Sequence, residues 1–591
     1  MELQPSAIPK ASWRSLPPEL RLMVLRELKL LEASQPCCET GLPVAEAVPT
    51  PRYTWARYAM VNKEFRAFFE AISFGSLYLS QEDLPYFGSI MQGERRTFVR
   101  HIGLRVHLPT YDCSRCRTPE SAEETRENNT IFTNAVWDLM TILSHWSAES
   151  FGSPSKPKKP FTLELGAFSP SDGQHLCKNL QLHMSDLRPR CHPRLVELRE
   201  LPEIKRDAEF NMSHYWNEKG NRVKNPHGGA RQRLFGHPDG LTFDWLASPL
   251  AASSGERKRL PDVSVVTCLT IPRSHYRYIS VPEALEPLIG SLTQLEALRY
   301  EPWRGIKTRP VPGRTIRDIQ HRQLLDLVKA KQSLECIYMI ESFSKSFHFN
   351  TGARCSPALG RALARASRNM KSIVGAFNVD ARDFFHEFWS NISKSGGGRL
   401  SIEPPKRVEW KNLRTLCLTS ASLNPRDCDR LLLAAAAAAK RMPMLRFLEL
   451  WNATGKTGHA CYFRWAWTAK DGGSKRASIR LQTSWGIVAP CPVVLRRWQE
   501  VTDVHGIHSG LQVLSNRRFN WRHTQSLCPA SMLFKIYPKA GQFLSYSSSC
   551  DLAEELYWNQ REYHRAFHVG GKPEDEDYFD DPDGDGWEER D

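Results

Sequence analysis

The segment Leu413-Arg-Thr-Leu-Cys-Leu418 carries apolar residues at its first, fourth and sixth positions. The fourth and sixth positions lie on the same face of a β-strand, so the spacing suits a strand whose alternate side chains enter a core. Six further copies are Phe74, Leu77, Leu79; Val99, Ile102, Leu104; Val266, Leu269, Ile271; Leu295, Leu298, Tyr300; Leu334, Ile337, Met339; and Leu445, Leu448, Leu450. Two partial copies are Leu163 with Leu165 and Met370 with Ile373. The chain therefore contains an internal repeat.

The intervals between copies predict that strands alternate with helices. From Leu269 to Leu448 the central apolar position recurs after 29, 39, 36, 43 and 32 residues. Helical patterns such as 317–331, 357–368 and 425–441 lie between the copies. We therefore expect the strands to lie parallel in one sheet, with the central positions packed together. An unrelated α/β domain with parallel strands would produce the same periodicity, and this alternative stays open.

The repeat resembles the leucine-rich repeat, best in residues 413–423, where Ala421 stands in place of the family's Asn or Cys. The intervals are longer than the usual 20 to 29 residues of that family. The resemblance therefore implies an irregular α/β array rather than a regular horseshoe. Outward positions on neighbouring strands would then form a shared surface, and we predict that Arg299, Tyr338 and Trp451 contact a target protein there.

A second pattern lies at the N-terminus. Residues 15–28 have the features of an amphipathic helix start, with prolines in the first turn and Glu19 near the positive end of the helix dipole. Residues 56–72 form a second helical pattern with apolar residues on one side. The simplest interpretation is a helix hairpin that opens the fold. A hairpin this short leaves apolar surface for a partner.

These residues resemble the F-box. Leu16-Pro-Pro-Glu-Leu20 matches the family's Leu-Pro-x-Glu-Ile, and Val61-Asn-Lys-Glu-Phe-Arg66 matches Val-Ser-Lys-x-Trp-Arg, with Asn62 and Phe65 as mild departures. The connection at residues 32–54 is longer than in most F-boxes. The chain is most similar to the F-box proteins of filamentous fungi, whose members tend to share a Tyr-Asp-Cys-x-x-Cys stretch like residues 111–116. The resemblance covers about a tenth of the chain.

The F-box resemblance implies a substrate-recognition subunit of an SCF-type (Skp, cullin, F-box) ubiquitin ligase. In that role the chain would bind a Skp-type adaptor, and through it a cullin-RING ligase, while the array holds an unknown target protein. The residues expected to contact the adaptor are Leu16, Pro17, Pro18, Leu20, Val24, Leu28 and Val61. Ubiquitin transfer would occur on other subunits, so this chain is not expected to be an enzyme.

The sequence therefore predicts an α+β protein with a small N-terminal helical F-box module followed by an irregular α/β leucine-rich-repeat-like array. The predicted divisions are the F-box module at 12–80, a strand-helix lead-in at 81–168, a long polar excursion at 169–258, the array at 259–465, a C-terminal cap region at 466–570 and a disordered acidic tail at 571–591.

Composition and charge narrow the class of protein. The 591 residues are 41% hydrophobic and 25% charged, as in a folded globular chain, and no apolar run reaches the length of a membrane span. No secretory signal begins the chain, and fifteen scattered cysteines suit a reducing compartment, so we expect a cytoplasmic or nuclear protein. The net charge is +15, although residues 572–591 carry −9. The rest of the chain is therefore strongly basic, and the alternative function is that this basic part binds nucleic acid or an acidic partner. No sequence motif for nucleic-acid binding accompanies the charge.

Motifs for metal binding or catalysis are incomplete. Cys113 and Cys116 form one C-x-x-C pair, and the nearest later candidates, His175 and Cys177, are about sixty residues away, so buried structural cysteines are expected rather than a metal. His505 and His508 have no Ser or Cys nucleophile nearby in a suitable glycine context. We therefore predict no catalytic residues, no metal and no cofactor.

Overall fold

The chain has a mixed α/β structure built on one twelve-stranded, mostly parallel sheet. The computed structural model describes residues 13–34, 52–146, 161–175, 228–236, 240–246, 259–274, 277–305, 316–343, 348, 356–389, 408–454, 459–469, 475–485, 490–514, 543–545, 547–549 and 552. Most of the predicted polar excursion (169–258) and all of the predicted acidic tail (571–591) lie outside these residues.

The strands follow one another across the sheet in chain order. They are β1 (Ser76–Leu79), β2 (His101–His107), β3 (Thr162–Phe168), β4 (Cys268–Ile271), β5 (Ala297–Tyr300), β6 (Cys336–Ile340), β7 (Ser372–Ala376), β8 (Thr415–Thr419), β9 (Phe447–Thr454), β10 (His459–Ala469), β11 (Lys475–Thr483) and β12 (Leu511–Val513). All neighbouring pairs are parallel except β9 with β10 and β10 with β11. Two successive strands can be parallel only if the chain crosses back along the sheet between them, and helices lie in these crossover connections.

One apolar row sets the register of the sheet. The central positions of the repeat face one another strand by strand, in the order Leu77, Ile102, Leu163, Leu269, Leu298, Ile337, Ile373, Leu416 and Leu448. From Ile102 to Leu448 each of these side chains is at most 2% exposed. The prediction that the strands between 266 and 450 form one continuous parallel sheet is confirmed.

The α-helices that flank and connect the strands are numbered in chain order. They are α1 (Pro18–Ser34), α2 (Arg52–Ala59), α3 (Lys63–Ser73), α4 (Leu84–Ile90), α5 (Ala122–Ser144), α6 (Pro170–His175), α7 (Gly228–Phe235), α8 (Glu286–Ser291), α9 (Ile316–Ala330), α10 (Pro357–Ala366), α11 (Ala381–Phe384), α12 (His386–Trp389), α13 (Cys428–Ala439) and α14 (Pro492–Val504). No helix among them is both long enough and apolar enough to cross a membrane.

The crossover helices bury one face of the sheet. Apolar side chains of α5, α9, α10, α13 and α14 share one large core with the central row of the strands. Residues 434–439 of α13, six consecutive alanines, are all buried there. Small side chains let a helix approach a sheet closely, so this run is explained by packing.

The sheet extends past the predicted array at both ends. It begins with β1, which lies inside the range 12–80 assigned to the helical module, and it ends with β12, inside the range 466–570. The antiparallel strands β10 and β11 were not foreseen. Their Trp465 and Ile479 continue the buried row beyond Leu448, and α14 covers them through Trp498.

Buried ion pairs join α6 to the loop after β4, and α7 to the first turn of α5. The Arg277 guanidinium donates to both carboxylate oxygens of Asp172, at 3.0 and 3.1 Å, and Arg233 of α7 donates to both oxygens of Glu124, at 3.0 and 3.2 Å. Tyr111 donates its hydroxyl to Asp172 at 2.8 Å. Since Asp172 is 0% exposed, the paired guanidinium compensates for the desolvation of its carboxylate.

We expect Ile337→Ala, in the middle of the apolar row, to lower the free energy of unfolding by about 2 to 5 kcal/mol, because it removes a buried side chain and leaves a cavity. Val504, 58% exposed at the end of α14, is the control: Val504→Ala should change the free energy by less than about 0.5 kcal/mol. Urea unfolding followed by circular dichroism measures both. Equal effects would contradict the role assigned to the row.

Candidate functional site

The first candidate surface belongs to the N-terminal helical module, defined as residues 13–34 and 52–73. Asn62 caps α3 by accepting a hydrogen bond from the Phe65 amide at 2.9 Å. Leu25 of α1, Trp55 of α2 and the α3 residues Phe65 and Phe69 form its small core. On α1 only Leu25 is buried among the described side chains and Leu28 packs partly on this core, whereas Leu20, Leu22, Met23, Val24 and Leu30 are exposed.

The module is also held by polar contacts. Glu64 accepts a hydrogen bond from the Trp13 indole at 2.9 Å and lies 3.5 Å from Arg21 of α1. Glu70 of α3 pairs with Arg95, in the turn that leads into β2, at 2.7 Å. This second pair connects the module to the sheet.

Most of the residues predicted to bind an adaptor are exposed or partly exposed on this module. Leu20 is 45%, Val24 40% and Val61 59% exposed. Pro17 and Pro18 are exposed, whereas Leu16 and Leu28 are half-buried. Whether they bind an adaptor stays a prediction.

The structure adds residues that the sequence pattern did not single out. Leu22, Met23, Leu30 and Met60 are between 38% and 78% exposed. With Leu20, Val24 and Val61 they make up seven of the fifteen exposed large hydrophobic side chains in the described part of the chain. On α1, Leu20, Met23 and Val24 have the spacing of neighbours on one helical face, so they form a local apolar surface.

The second candidate surface is the face of the sheet opposite the core helices, called here the open face. It carries the alternate residues of each strand, and one row contains Glu164, Thr270, Arg299, Tyr338, Val374, Cys417 and Glu449 in register. The structure brings two of the predicted target-binding residues together, since the Arg299 guanidinium lies 5.5 Å from the centroid of the Tyr338 ring. Trp451 lies three strands further along, in the adjoining row.

The expectation that these side chains are exposed is wrong for two of the three. Tyr338 is 8% and Trp451 0% exposed, whereas Arg299 is half-buried. Five other residues in or next to strands of the sheet are also buried, namely Glu301, Glu341, Cys417, Thr419 and Glu449. Binding of a target protein by Arg299, Tyr338 and Trp451 stays a prediction.

A segment from the C-terminal region covers this face. It comprises the described residues 543–545, 547–549 and 552 and is called here the covering segment. Phe543 stacks on Tyr338 with ring centroids 5.1 Å apart. Leu544 and Leu552 share an apolar cluster with Tyr338, Cys417, Trp451 and neighbouring residues of the open face. The sequence predicted that residues 466–570 form a cap at the C-terminal end of the array, whereas the covering segment, which belongs to this range, lies across the open face.

Two buried carboxylates hold the serines of the covering segment. Glu301 accepts hydrogen bonds from the Ser545 amide at 2.8 Å and the Ser545 hydroxyl at 2.7 Å. Glu164 accepts one from the Ser547 hydroxyl at 2.7 Å. Ser548 accepts one from the Arg273 amide at 2.9 Å. Hydrogen bonds to charged acceptors are about twice as strong as neutral ones, so these contacts specify where each hydroxyl lies.

The pKa values of the Glu301 and Glu164 carboxyl groups are shifted in opposite directions. Burial raises the pKa of Glu301, although hydrogen bonds from Ser548 and Ser545 oppose this effect. Burial also acts to raise the pKa of Glu164, but His101, 3.3 Å away, and Ser547 outweigh it, so the pKa of Glu164 is lowered. Glu164 is therefore held as the anion, whereas Glu301 is closer to protonation.

His101 extends the Glu164 site to the edge of the sheet. Its other ring nitrogen, Nδ1, lies 3.1 Å from the Ser76 hydroxyl, so serine, imidazole and carboxylate form a line across β1, β2 and β3. Such a line can pass a proton between its ends. Sequence reasoning missed it, because the three residues are widely separated in the chain.

The C-x-x-C pair lies near His175. The Cys113 sulfur is 3.9 Å from His175 Nδ1, and Cys116 is buried. Cys177, the other residue considered as a ligand, lies outside the described residues. Within the described ranges, no group of three or more His, Cys, Asp and Glu side chains is arranged to hold a metal ion.

We expect Glu301→Gln to change the pH dependence of stability. A carboxyl whose pKa is raised on folding contributes stability below its ordinary value of 4.5, and this contribution is lost as the pH rises through the folded-state pKa. The variant should therefore gain stability relative to the wild type as the pH increases from about 4.5. Thermal unfolding from pH 4 to pH 8 measures the difference.

Glu164→Gln is the matched comparison, with the opposite sign. The lowered pKa of Glu164 contributes stability above the ordinary value, and this contribution is lost as the pH falls through the folded-state pKa. The variant should therefore be less stable than the wild type near pH 7, and the difference should shrink in acid. Parallel pH profiles for wild type and both variants would contradict the assignments.

Comparison with known proteins identifies one family resemblance. Residues 329–527 match a family model described as "Family of unknown function (DUF6546)". The match covers about a third of the chain and contains strands β6 to β12. No curated protein matches the chain. The chain is therefore similar, over the second half of its sheet, to a family whose function is itself unknown.

Proposed function

We propose that the chain is a substrate-recognition subunit of an SCF-type ubiquitin ligase. In this role the N-terminal helical module binds a Skp-type adaptor, and the sheet presents a target protein. The observation that carries the proposal is the concentration of exposed apolar side chains on the module, three of which, Leu20, Val24 and Val61, lie at positions of the F-box pattern.

An apolar surface of this kind is unfavourable in contact with water. Scattered exposed hydrophobic residues are ordinary, but a group on one short module favours association, because burial in an interface removes apolar area from water. Leu20, Met23 and Val24 on one face of α1 are spaced as anchors for a hydrophobic groove. The small aromatic core of Trp55, Phe65 and Phe69 keeps the module folded without using these anchors.

The sheet supports the second half of the proposal. Parallel strands in chain order, connected by helices on one face, are the organisation of a leucine-rich-repeat-like array. Arrays of this kind bind partners on extended surfaces. The proposed architecture is therefore an F-box module followed by an irregular, insertion-bearing array.

We expect the double variant Leu20→Asp, Val24→Asp to lose binding to the Skp-type adaptor of the native host. Two desolvated carboxylates in an apolar interface would cost several kcal/mol, which weakens binding by at least about a hundredfold. Both side chains are exposed in the free chain, so the fold should be retained. Isothermal titration calorimetry with the purified adaptor measures the affinity, and circular dichroism checks the fold.

The control variant is Val493→Asp, Val504→Asp, which places the same charges at exposed valines of α14. Its affinity for the adaptor should equal that of the wild type. If both double variants bind as well as the wild type, or if the wild type does not bind, the adaptor function is wrong. Any deletion test should end before Gly75, since β1 belongs to the sheet and its removal would expose the edge of β2.

A further inference from the structure

The covering segment lies across the strands in the manner of a bound peptide. Ser547 contacts Glu164 of β3 and Tyr78 of β1, Ser545 contacts Glu301 after β5, and Phe543 stacks on Tyr338 of β6. These residues cross about half of the sheet. A segment of the sheet itself would pair with a strand through backbone hydrogen bonds, whereas here the closest contacts are made by side chains.

The contacts separate into two kinds of recognition. Phe543, Leu544 and Leu552 pack on the apolar part of the open face, and the last two are 7% and 0% exposed. Ser545 and Ser547 each place a hydroxyl 2.7 Å from a buried carboxylate. Buried acceptors of this kind favour a ligand that supplies a donor, because a ligand without one leaves the acceptor unsatisfied.

The two carboxylates have few alternatives to the covering segment. Glu301 is 0% and Glu164 2% exposed, so water does not replace a missing donor easily. Glu164 retains His101 when Ser547 leaves, whereas each hydrogen bond that Glu301 receives in the described structure comes from a serine of the covering segment. The Glu301 end of the site therefore depends most on the occupant.

We propose that the open face is a binding site for a peptide that carries serine hydroxyls after an aromatic residue and a leucine and forms a helical turn at its later serines, as residues 547–549 do, and that the covering segment is its resident occupant. A target peptide of the same chemistry binds by displacing the segment. The proposal rests on the adaptor function only in identifying the competing peptide as part of a ligase target. The peptide site itself does not depend on that function.

The carboxylates also determine what the site rejects. A phosphoserine at position 547 would place about two negative charges beside the Glu164 anion, which repulsion opposes, and at either position burial would desolvate the phosphate. The site therefore selects the unphosphorylated form of a serine-bearing peptide. An aspartate at the same position would be rejected for the same reason.

The first experiment opens the site in the full-length chain with Ser545→Asp, Ser547→Asp. Cys417 is 0% exposed in the cluster that contains Leu544 and Leu552, and Cys461, 2% exposed, lies in the core on the helix side of the sheet. Maleimide labelling followed by peptide mass spectrometry reports both thiols. We expect Cys417 to react at least about tenfold faster than in the wild type, with Cys461 unchanged.

Ser549→Asp is the matched control. It adds a charge in the same segment, but the described contacts of Ser549 are made by its backbone amide, to the Ser545 carbonyl, rather than by its side chain to a carboxylate. Labelling of Cys417 in this variant should match the wild type. Equal labelling of Cys417 in wild type, double variant and control would overturn the proposal.

The second experiment adds the ligand back as a separate molecule. The probe is a fluorescein-labelled peptide with the sequence of residues 541–553, with Cys550 replaced by Ser, and binding is read by fluorescence anisotropy. The double variant should bind it at least about tenfold more tightly than the wild type, whose site is occupied. The same peptide phosphorylated at Ser545 and Ser547 should not bind either protein.

Two outcomes would overturn the proposal at this step. One is that the opened variant does not bind the unphosphorylated peptide, and the other is that it binds both peptides equally. If the double variant exposes Cys461 as well as Cys417, it has unfolded, and Phe543→Ser takes its place, since this change removes only the ring that stacks on Tyr338. Neither experiment uses the adaptor, so failure here leaves the adaptor test unaffected.

Discussion

The architecture depends on one constraint, the in-register row of buried Leu and Ile side chains that joins strand to strand from Ile102 to Leu448. A shift of one residue in any strand would turn its apolar residues to the other face, so the row fixes every register along it. It also decides which face the helices bury. The alternate residues are thereby committed to the open face, whatever their chemistry.

Because the alternate residues of each strand must lie on the open face, charged side chains are placed there. One row of the open face places Glu164, Arg299, Tyr338 and Glu449 on a surface that is itself largely buried. Charged groups in such a place need partners: Glu449 accepts the Tyr462 hydroxyl at 3.1 Å, and Glu164 has His101. The serines of the covering segment complete the set, which connects the far end of the chain to the first strands of the sheet.

The sequence allowed the strands, their order and the buried residues of the array to be predicted, because an apolar spacing of this kind has one physical cause. In the N-terminal helical module it singled out Leu20, Val24 and Val61, which are exposed, but not Leu22, Met23, Leu30 and Met60. The hairpin of β10 and β11 and the burial of Tyr338 and Trp451 were missed. Alternation identifies two faces but not what covers each, and the serine-rich covering segment has no periodicity that would connect it to Glu301.

The central claim is that a separable segment fills the open face of a stable sheet. Hydrogen exchange of the full-length chain, read by mass spectrometry on peptides from 543–549 and from β5 and β6, tests it most directly. The account predicts that 543–549 is protected and yet exchanges faster than β5 and β6, because the segment opens while the sheet stays folded. Exchange at the same rate as the sheet, or no protection at all, would contradict it.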